Sequence, residues 1–230
     1  MGLTLSAPIL LPVILCIWLQ DFKFPLYIPD RVGKNGKNFK MVKLRSMVIN
    51  ADSSGVDSTS NNDSRITSIG HIIRKFKLDE LSQLWNVLIG DMSLVGPRPN
   101  VKRETDLYTD IEKKLLSVRP GITDISSIVF SDEGEILSEM GDPDLAYNQL
   151  IRPWKSRLGI IYIENQSIIF DIQLILLTIL SVFSKSSALR FITKKLKHLN
   201  VDRNIVEVSM RQNELYPHPP PGSDKIVINR

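Results

Sequence analysis

From Leu3 to Leu19 the chain is almost wholly apolar, yet Pro8 and Pro12 stand inside that run. About 20 apolar residues suffice to cross a bilayer as a helix, so this segment must find lipid or a protein core. Proline removes a backbone donor and disfavours helical geometry in the residue before it. Two prolines this close predict a bent segment that enters and leaves one leaflet, rather than a straight span. A buried N-terminal core helix is the plainer alternative. A secretory signal would put positive charge before the run and small residues at a cleavage site after it, and neither is present. Met1-Gly2-Leu3-Thr4-Leu5-Ser6 fits the myristoylation pattern, a short and common match.

The 230 residues suit one domain with an appendage, and 43% hydrophobic with 23% charged content excludes a disordered or polytopic chain. A net charge of +4 favours anionic partners: phosphates, nucleotides or an acidic membrane surface. The single cysteine, Cys16, excludes an intrachain disulfide. His71, His198 and His218 lack ligand spacing, which argues against zinc.

Three regions follow: an anchoring segment at 1–21, a domain at 22–207, and a loosely ordered tail at 208–230 that contains Pro217, Pro219, Pro220 and Pro221. Residues 22–47 read as a small β-hairpin element around the turn Gly33-Lys34-Asn35-Gly36-Lys37-Asn38. Ser53 to Ser64 is a polar loop. Ile69, Ile72, Ile73 and Phe76 then fall at helical spacing, with Arg74, Lys75 and Lys77 off the apolar stripe. A second helix carries Leu78, Leu81, Leu84, Trp85 and Leu88 and is closed by Gly90. Further on, 103–117 reads as a charged helix, 122–131 as a short strand or irregular core segment, and 143–158 as a helix. Ser167 to Ser184 is apolar, but Asp171 inside it makes a spanning helix costly by ~2.5 kcal/mol or more. It is expected to be buried or interfacial. The expected class is α+β and mainly helical, with a small β-hairpin, amphipathic interfacial helices and an N-terminal re-entrant membrane helix.

Asp79 and Glu80 fall in the expected first turn of the second helix. Acidic residues are common there because they meet free N–H groups and the positive dipole end. Their company points further. Arg74, Lys75 and Lys77 precede the pair, and Arg98 follows on a loop braced by Pro97 and Pro99. An ionised carboxylate in that setting suits attack on phosphorus or a magnesium ligand, and is wrong for a general acid. Neighbouring side chains on a helix diverge by roughly 100°, so two adjacent carboxylates can divide those tasks.

Leu78-Asp79-Glu80-Leu81, Gln83-Leu84-Trp85-Asn86-Val87-Leu88 and Gly90-Asp91-Met92-Ser93-Leu94-Val95-Gly96-Pro97-Arg98-Pro99 closely resemble the bacterial sugar transferases. These are the monotopic phosphoglycosyl transferases that begin capsule, O-antigen and exopolysaccharide assembly. The likeness extends back through Lys43-Leu44-Arg45-Ser46-Met47 and Arg31, and forward through Val118-Arg119-Pro120-Gly121-Ile122-Thr123 to about Phe183. The resemblance implies a nucleophilic aspartate at Asp79, attacking the sugar-bound phosphate of a UDP-sugar with loss of UMP. A polyprenol phosphate, undecaprenyl phosphate being the expected one, then takes the phosphosugar. It implies Mg²⁺ as cofactor with Glu80 as its ligand, and the cytoplasmic leaflet of the bacterial inner membrane as the location, with the catalytic domain facing the cytoplasm. Arg98, Arg119, Lys43, Arg45 and Arg74 are the candidate phosphate-binding cations. No nucleic acid is expected as a partner, and a homodimer is compatible with the reading.

Three departures from the family pattern stand out. Ser6-Ala7-Pro8 replaces a Ser-Pro bend after an unusually short lead, Asp124 to Glu133 differs from the common continuation, and Gly159 and Gln166 replace an acidic residue and an arginine. Two rival functions accompany the transferase: a weakly active or inactive paralogue that scaffolds glycan enzymes at the membrane, and a metal-dependent phosphohydrolase using water as acceptor.

Overall fold

The computed structural model describes residues 2–55, 58–60 and 62–228. It is mainly helical with three two-stranded sheets among the described residues, the α+β arrangement expected. Helix α1 (Gly2–Asp21) holds Pro8 and Pro12 within one helical element. Leu10, Val13, Ile14 and Ile17 recur at helical spacing and pack with Leu26, Leu44, Ile69, Ile73, Leu78 and Leu81 into an N-terminal core. The other face leaves Ile9, Leu11, Leu15, Trp18 and Leu19 exposed. Hence α1 is a core helix on one side only. Among the described residues no helix is long and apolar enough to cross a membrane.

Strands β1 (Leu26–Tyr27), β2 (Asp30–Val32), β3 (Asn38–Lys40) and β4 (Lys43–Leu44) form the expected hairpin element. β2 pairs antiparallel with β3, and β1 pairs antiparallel with β4, so one hairpin is nested inside the other. The turn works because Asn35 and Gly36 adopt positive φ of 57° and 74°, a region that asparagine and glycine enter at low cost.

Helix α2 (Ser68–Lys75) starts where Thr67 Oγ1 accepts the Gly70 N–H at 3.0 Å. Of its predicted apolar stripe, Ile69 and Ile73 enter the core while Ile72 and Phe76 stay exposed. The expected second helix is two pieces, α3 (Leu78–Leu81) and α4 (Leu84–Ile89). Ser82 Oγ lies 2.8 Å from the Asp79 carbonyl and 3.1 Å from that of Val42, and such side-chain bonding competes with the helical ladder. Gly90 closes α4 at φ 88°, as expected.

β5 (Ser93–Val95) runs parallel to β6 (Gly121–Thr123). Between them the predicted helix at 103–117 is absent as one element: α5 (Lys102–Thr105) is a single turn, and a 3₁₀ helix spans Glu112–Ser117. Thr109 and Glu112 form a reciprocal cap, the Thr109 N–H bonding the Glu112 carboxylate and the Glu112 N–H bonding Thr109 Oγ1. A new helical start at Thr109 ends any continuous helix through it. Beyond β6 the chain is helical rather than extended, because the Asp124 carboxylate accepts the Ser127 N–H at 2.7 Å and caps α6 (Ile125–Val129).

Helices α7 (Glu133–Ile136), α8 (Pro143–Ala146), α9 (Arg152–Asn165), α10 (Ile168–Phe183), α11 (Lys185–His198) and α12 (Arg203–Met210) complete the fold. A second core gathers Ile128, Val129, Ile151, Trp154, Leu158, Leu174, Ile192 and Leu196. The predicted helix at 143–158 is continuous through a π turn at Tyr147–Ile151 and on into α9. Pro153 has no N–H to offer the Gln149 carbonyl, and the His218 N–H donates to it instead at 3.0 Å. That contact ties the tail beyond α12, which forms no helix or strand among the described residues, to the helical body. His218 stacks on Trp154 at 4.4 Å, Arg157 Nη1 donates to Pro219 O, and Gln149 Nε2 donates to Val227 O. The tail thus has polar and aromatic partners on α9 and on the π turn that precedes it.

Candidate active site

Three neighbouring elements bring the site together. α3 packs on β4 and on α2, so Lys43, Arg74, Asp79 and Glu80 share one region. Arg98 joins them from the loop after β5. That loop is fixed by an approach only glycine allows: a Cβ on Gly121 would lie 2.1 Å from Gly96 N. Gly96 N donates to Thr123 O, and Gly121 N to Pro97 O.

Asp79 and Glu80 diverge as adjacent helical positions should. Asp79 Oδ2 faces Lys43 Nζ at 3.5 Å, and Glu80 Oε1 accepts from Arg98 Nη1 at 2.9 Å. Both carboxylate side chains are 15% exposed, Lys43 18% and Arg98 32%, so the pairs are shielded yet open on one side. Lys77, at φ 52°, sits just before them. The dipole explanation loses ground here, because α3 is one turn long and has little aligned dipole to offer.

Burial on its own would raise the Glu80 carboxyl. The charges of Arg98, Lys77 and Lys43 and the Arg98 hydrogen bond outweigh it and hold Glu80 below its ordinary 4.5. Burial lowers the Lys43 ammonium, against the pull of Asp79 and Glu80. Burial likewise lowers Arg74, opposed by Asp79 and Asp63. Lys43, Arg74, Lys77 and Arg98 thus outnumber the two carboxylates they surround. Such a cluster accepts an anion of two or more charges.

The other candidates are placed differently. Arg45 is turned away from this cluster, giving two hydrogen bonds of 2.5 and 2.6 Å to the Asp21 carboxylate at the end of α1. It ties α1 to β4, and its side chain is only 8% exposed. Arg74 Nε donates to Ser46 Oγ at 3.1 Å, which aims it across the same region. Arg119 is exposed on the segment entering β6. Gly159 is explained by packing, since a Cβ there would meet a Leu115 methyl at 2.7 Å.

Sequence reasoning passed over Asn86, which is fully buried and straps the hairpin to α4. Its Oδ1 accepts the Val42 N–H at 2.9 Å, and its Nδ2 donates to Lys40 O at 2.7 Å. The signal was present as an asparagine inside the apolar run Leu84–Ile89. Glu133 is another: it pairs with Lys155, and its charge reaches Arg98.

Among the described residues no three His, Cys, Asp or Glu side chains converge on a metal-sized point. Magnesium does not require such a cage, since one or two carboxylates with substrate phosphates satisfy it. Glu80 offers a hard, ionised oxygen donor beside cations that would hold those phosphates, so the donor set fits Mg²⁺.

Residues 1–185 match the family described as Bacterial sugar transferase. The UDP-galactose-lipid carrier transferase of Erwinia amylovora is 34% identical over 203 residues, covering 81% of this chain and 39% of its own. The UDP-glucose:undecaprenyl-phosphate glucose-1-phosphate transferase of Caulobacter vibrioides is 33% identical over 187 residues, 80% of this chain and 66% of its own. The undecaprenyl-phosphate galactose phosphotransferase of Salmonella typhimurium is 41% identical over 130 residues, 49% of this chain and 27% of its own. The chain therefore spans less than two thirds of the length of each of these relatives. With the matched region running through every element that builds the Lys43–Asp79–Glu80–Arg98 cluster, the chain belongs to the bacterial sugar transferase family.

Proposed function

We propose that the protein is a phosphoglycosyl transferase that moves a phosphosugar from a UDP-sugar to a polyprenol phosphate, undecaprenyl phosphate being the acceptor its relatives' names point to. The observation that carries this reading is the shielded double pair, Asp79 with Lys43 and Glu80 with Arg98, inside a surplus of cations. A carboxylate oxygen of Asp79 attacks the phosphorus that bears the sugar. An O–P bond forms, the bond to UMP breaks, and UMP leaves with the electron pair. A phosphate oxygen of the polyprenol phosphate then attacks the same phosphorus. Asp79 departs as a free carboxylate, and the product is a polyprenyl-diphosphate-sugar.

Lys43 begins paired with Asp79 and is available to shift its ion pair to an incoming phosphate oxygen, keeping its proton. Arg98 neutralises the diphosphate while holding Glu80 in place. Glu80 is the residue to hold Mg²⁺, which supplies further neutralisation of phosphate oxygens when bound. Arg74 and Arg119 are secondary phosphate contacts.

The lipid acceptor requires a membrane setting. Exposed Leu11, Leu15 and Leu19 of α1, Trp85 and Leu88 of α4 and Ile172, Leu176 and Ile179 of α10 provide apolar contact area. This supports a monotopic protein in the cytoplasmic leaflet of the bacterial inner membrane, with α1 as the re-entrant helix.

The test is UMP release from a panel of UDP-sugars, with undecaprenyl phosphate and Mg²⁺. Sustained, lipid-dependent release from a UDP-sugar is expected. Silence across the panel would leave the scaffold reading, and sustained release of UMP and free sugar phosphate without lipid would mean a phosphohydrolase.

A further inference from the structure

All but the first residue of α11 lies beyond the region matched to the family, residues 1–185. Its inner face, Ala188, Leu189, Ile192, Thr193 and Leu196, is buried, and the helix packs on α6, α10 and α12. Its outer face carries Arg190, Lys194 and Lys197, all exposed, at the i, i+4, i+7 spacing of a single stripe. α11 contains no acidic residue. Cations in a last turn are ordinarily explained by the helix dipole. That covers Lys197 but not Arg190, which sits mid-helix. The other cations of α11 have inward duties: Lys185 pairs with Asp132 at 2.5 Å, and Lys195 lies 4.9 Å from the Phe170 ring centre.

The stripe also has an apolar border. Phe191 beside it is exposed, and α10, packed along α11, exposes Ile172, Leu176, Ile179 and Phe183. Phe183 is 83% exposed, a large cost for an aromatic ring in water. An apolar strip edged by cations without an acidic partner among the described residues matches a membrane with anionic headgroups: rings and aliphatic chains enter the acyl boundary while cations meet the headgroups. A nucleic acid would use the cations and leave the apolar strip unexplained.

We propose that α11 is an anionic-phospholipid contact, in which Arg190, Lys194 and Lys197 bind headgroups alongside the inserted Phe183 and Phe191. This rests on the membrane-bound reading above and adds a headgroup preference to it.

The test uses the full chain and vesicles of phosphatidylcholine with or without phosphatidylglycerol, with binding read by co-sedimentation at low salt. The triple variant Arg190→Gln, Lys194→Gln, Lys197→Gln should lose about a hundred-fold of its partition onto phosphatidylglycerol vesicles, from a roughly five-fold factor per cation. Its weaker partition onto pure phosphatidylcholine should be unchanged. The charge-preserving triple Arg190→Lys, Lys194→Arg, Lys197→Arg should bind like the unsubstituted protein, which separates lost charge from lost folding. A control triple of exposed cations elsewhere, Lys34→Gln, Lys37→Gln, Lys114→Gln, should change partition little. Equal losses in the α11 and control triples, or no loss in the α11 triple, would overturn the proposal. The measurement needs no substrate, so it stands apart from any failure of the transferase assay. Absence of binding by the unsubstituted protein to both vesicle types would instead refute membrane attachment itself.

Discussion

Replacing Asn86 with alanine probes how the fold delivers Lys43 to the site. Asn86 is fully buried and holds the two residues that bracket Met41, accepting from Val42 N at 2.9 Å and donating to Lys40 O at 2.7 Å. Asn86→Ala removes both bonds and strands a donor and an acceptor away from full solvation. Each net bond contributes about 1 kcal/mol, and each stranded partner costs about 1–3 kcal/mol. Because Val42 is only part-buried and Lys40 is exposed, a loss of about 2–4 kcal/mol is expected. Urea unfolding followed by tryptophan fluorescence reads it, since Trp154 is buried in the main core. The functional effect should act through Lys43, the next residue along. Asn86→Ala should therefore slow UMP release strongly in the native background and little in Lys43→Met, with a coupling of about 1 kcal/mol or more. A stability loss below about 1 kcal/mol, or additive effects in the cycle, would refute a positioning role for Asn86.

Gly70→Ala should destabilise by at least about 2 kcal/mol, because its Cβ would lie 1.9 Å from Ser46 O and 2.8 Å from Ser46 C, both backbone atoms. Gly141→Ala, where a Cβ meets nothing within 4 Å, should stay within about 0.5 kcal/mol in the same unfolding assay. The folded Glu80 carboxyl lies below its ordinary 4.5. Its stabilising contribution is therefore complete above that pH and lost as pH falls through the folded value. Glu80→Gln should flatten the acid limb of the stability profile below pH 4.5, and an unchanged acid limb would contradict the Arg98 pairing.

The hairpin, α2, the Gly90 stop and the Asp79–Glu80–Arg98 grouping were legible because each rests on local chemistry: Asn-Gly turn geometry, helical spacing, a left-handed glycine, a proline-braced loop. The misses have two causes: local caps that composition hides, and partners far away in the chain. The charged run at 103–117 reads as one helix by composition, while the capping pair Thr109–Glu112 decides the break. Asp124 opens a segment that departs from the family pattern, and its carboxylate caps α6. Arg45 had the charge of a phosphate ligand, but its partner Asp21 lies 24 positions away in sequence. The proline-rich tail meets Gln149 of the π turn and Trp154 and Arg157 of α9, all 62 or more positions away in sequence. Long-range partners of this kind leave no trace in a local pattern.

The central assignment is Asp79 as the covalent nucleophile. Incubating the protein with its UDP-sugar in the absence of lipid, then measuring intact and peptide masses, tests it directly. A gain of one sugar-phosphate on the peptide containing Asp79 is expected, discharged on adding undecaprenyl phosphate and absent in Asp79→Asn. An adduct on a different residue, or full turnover by Asp79→Asn, would contradict it.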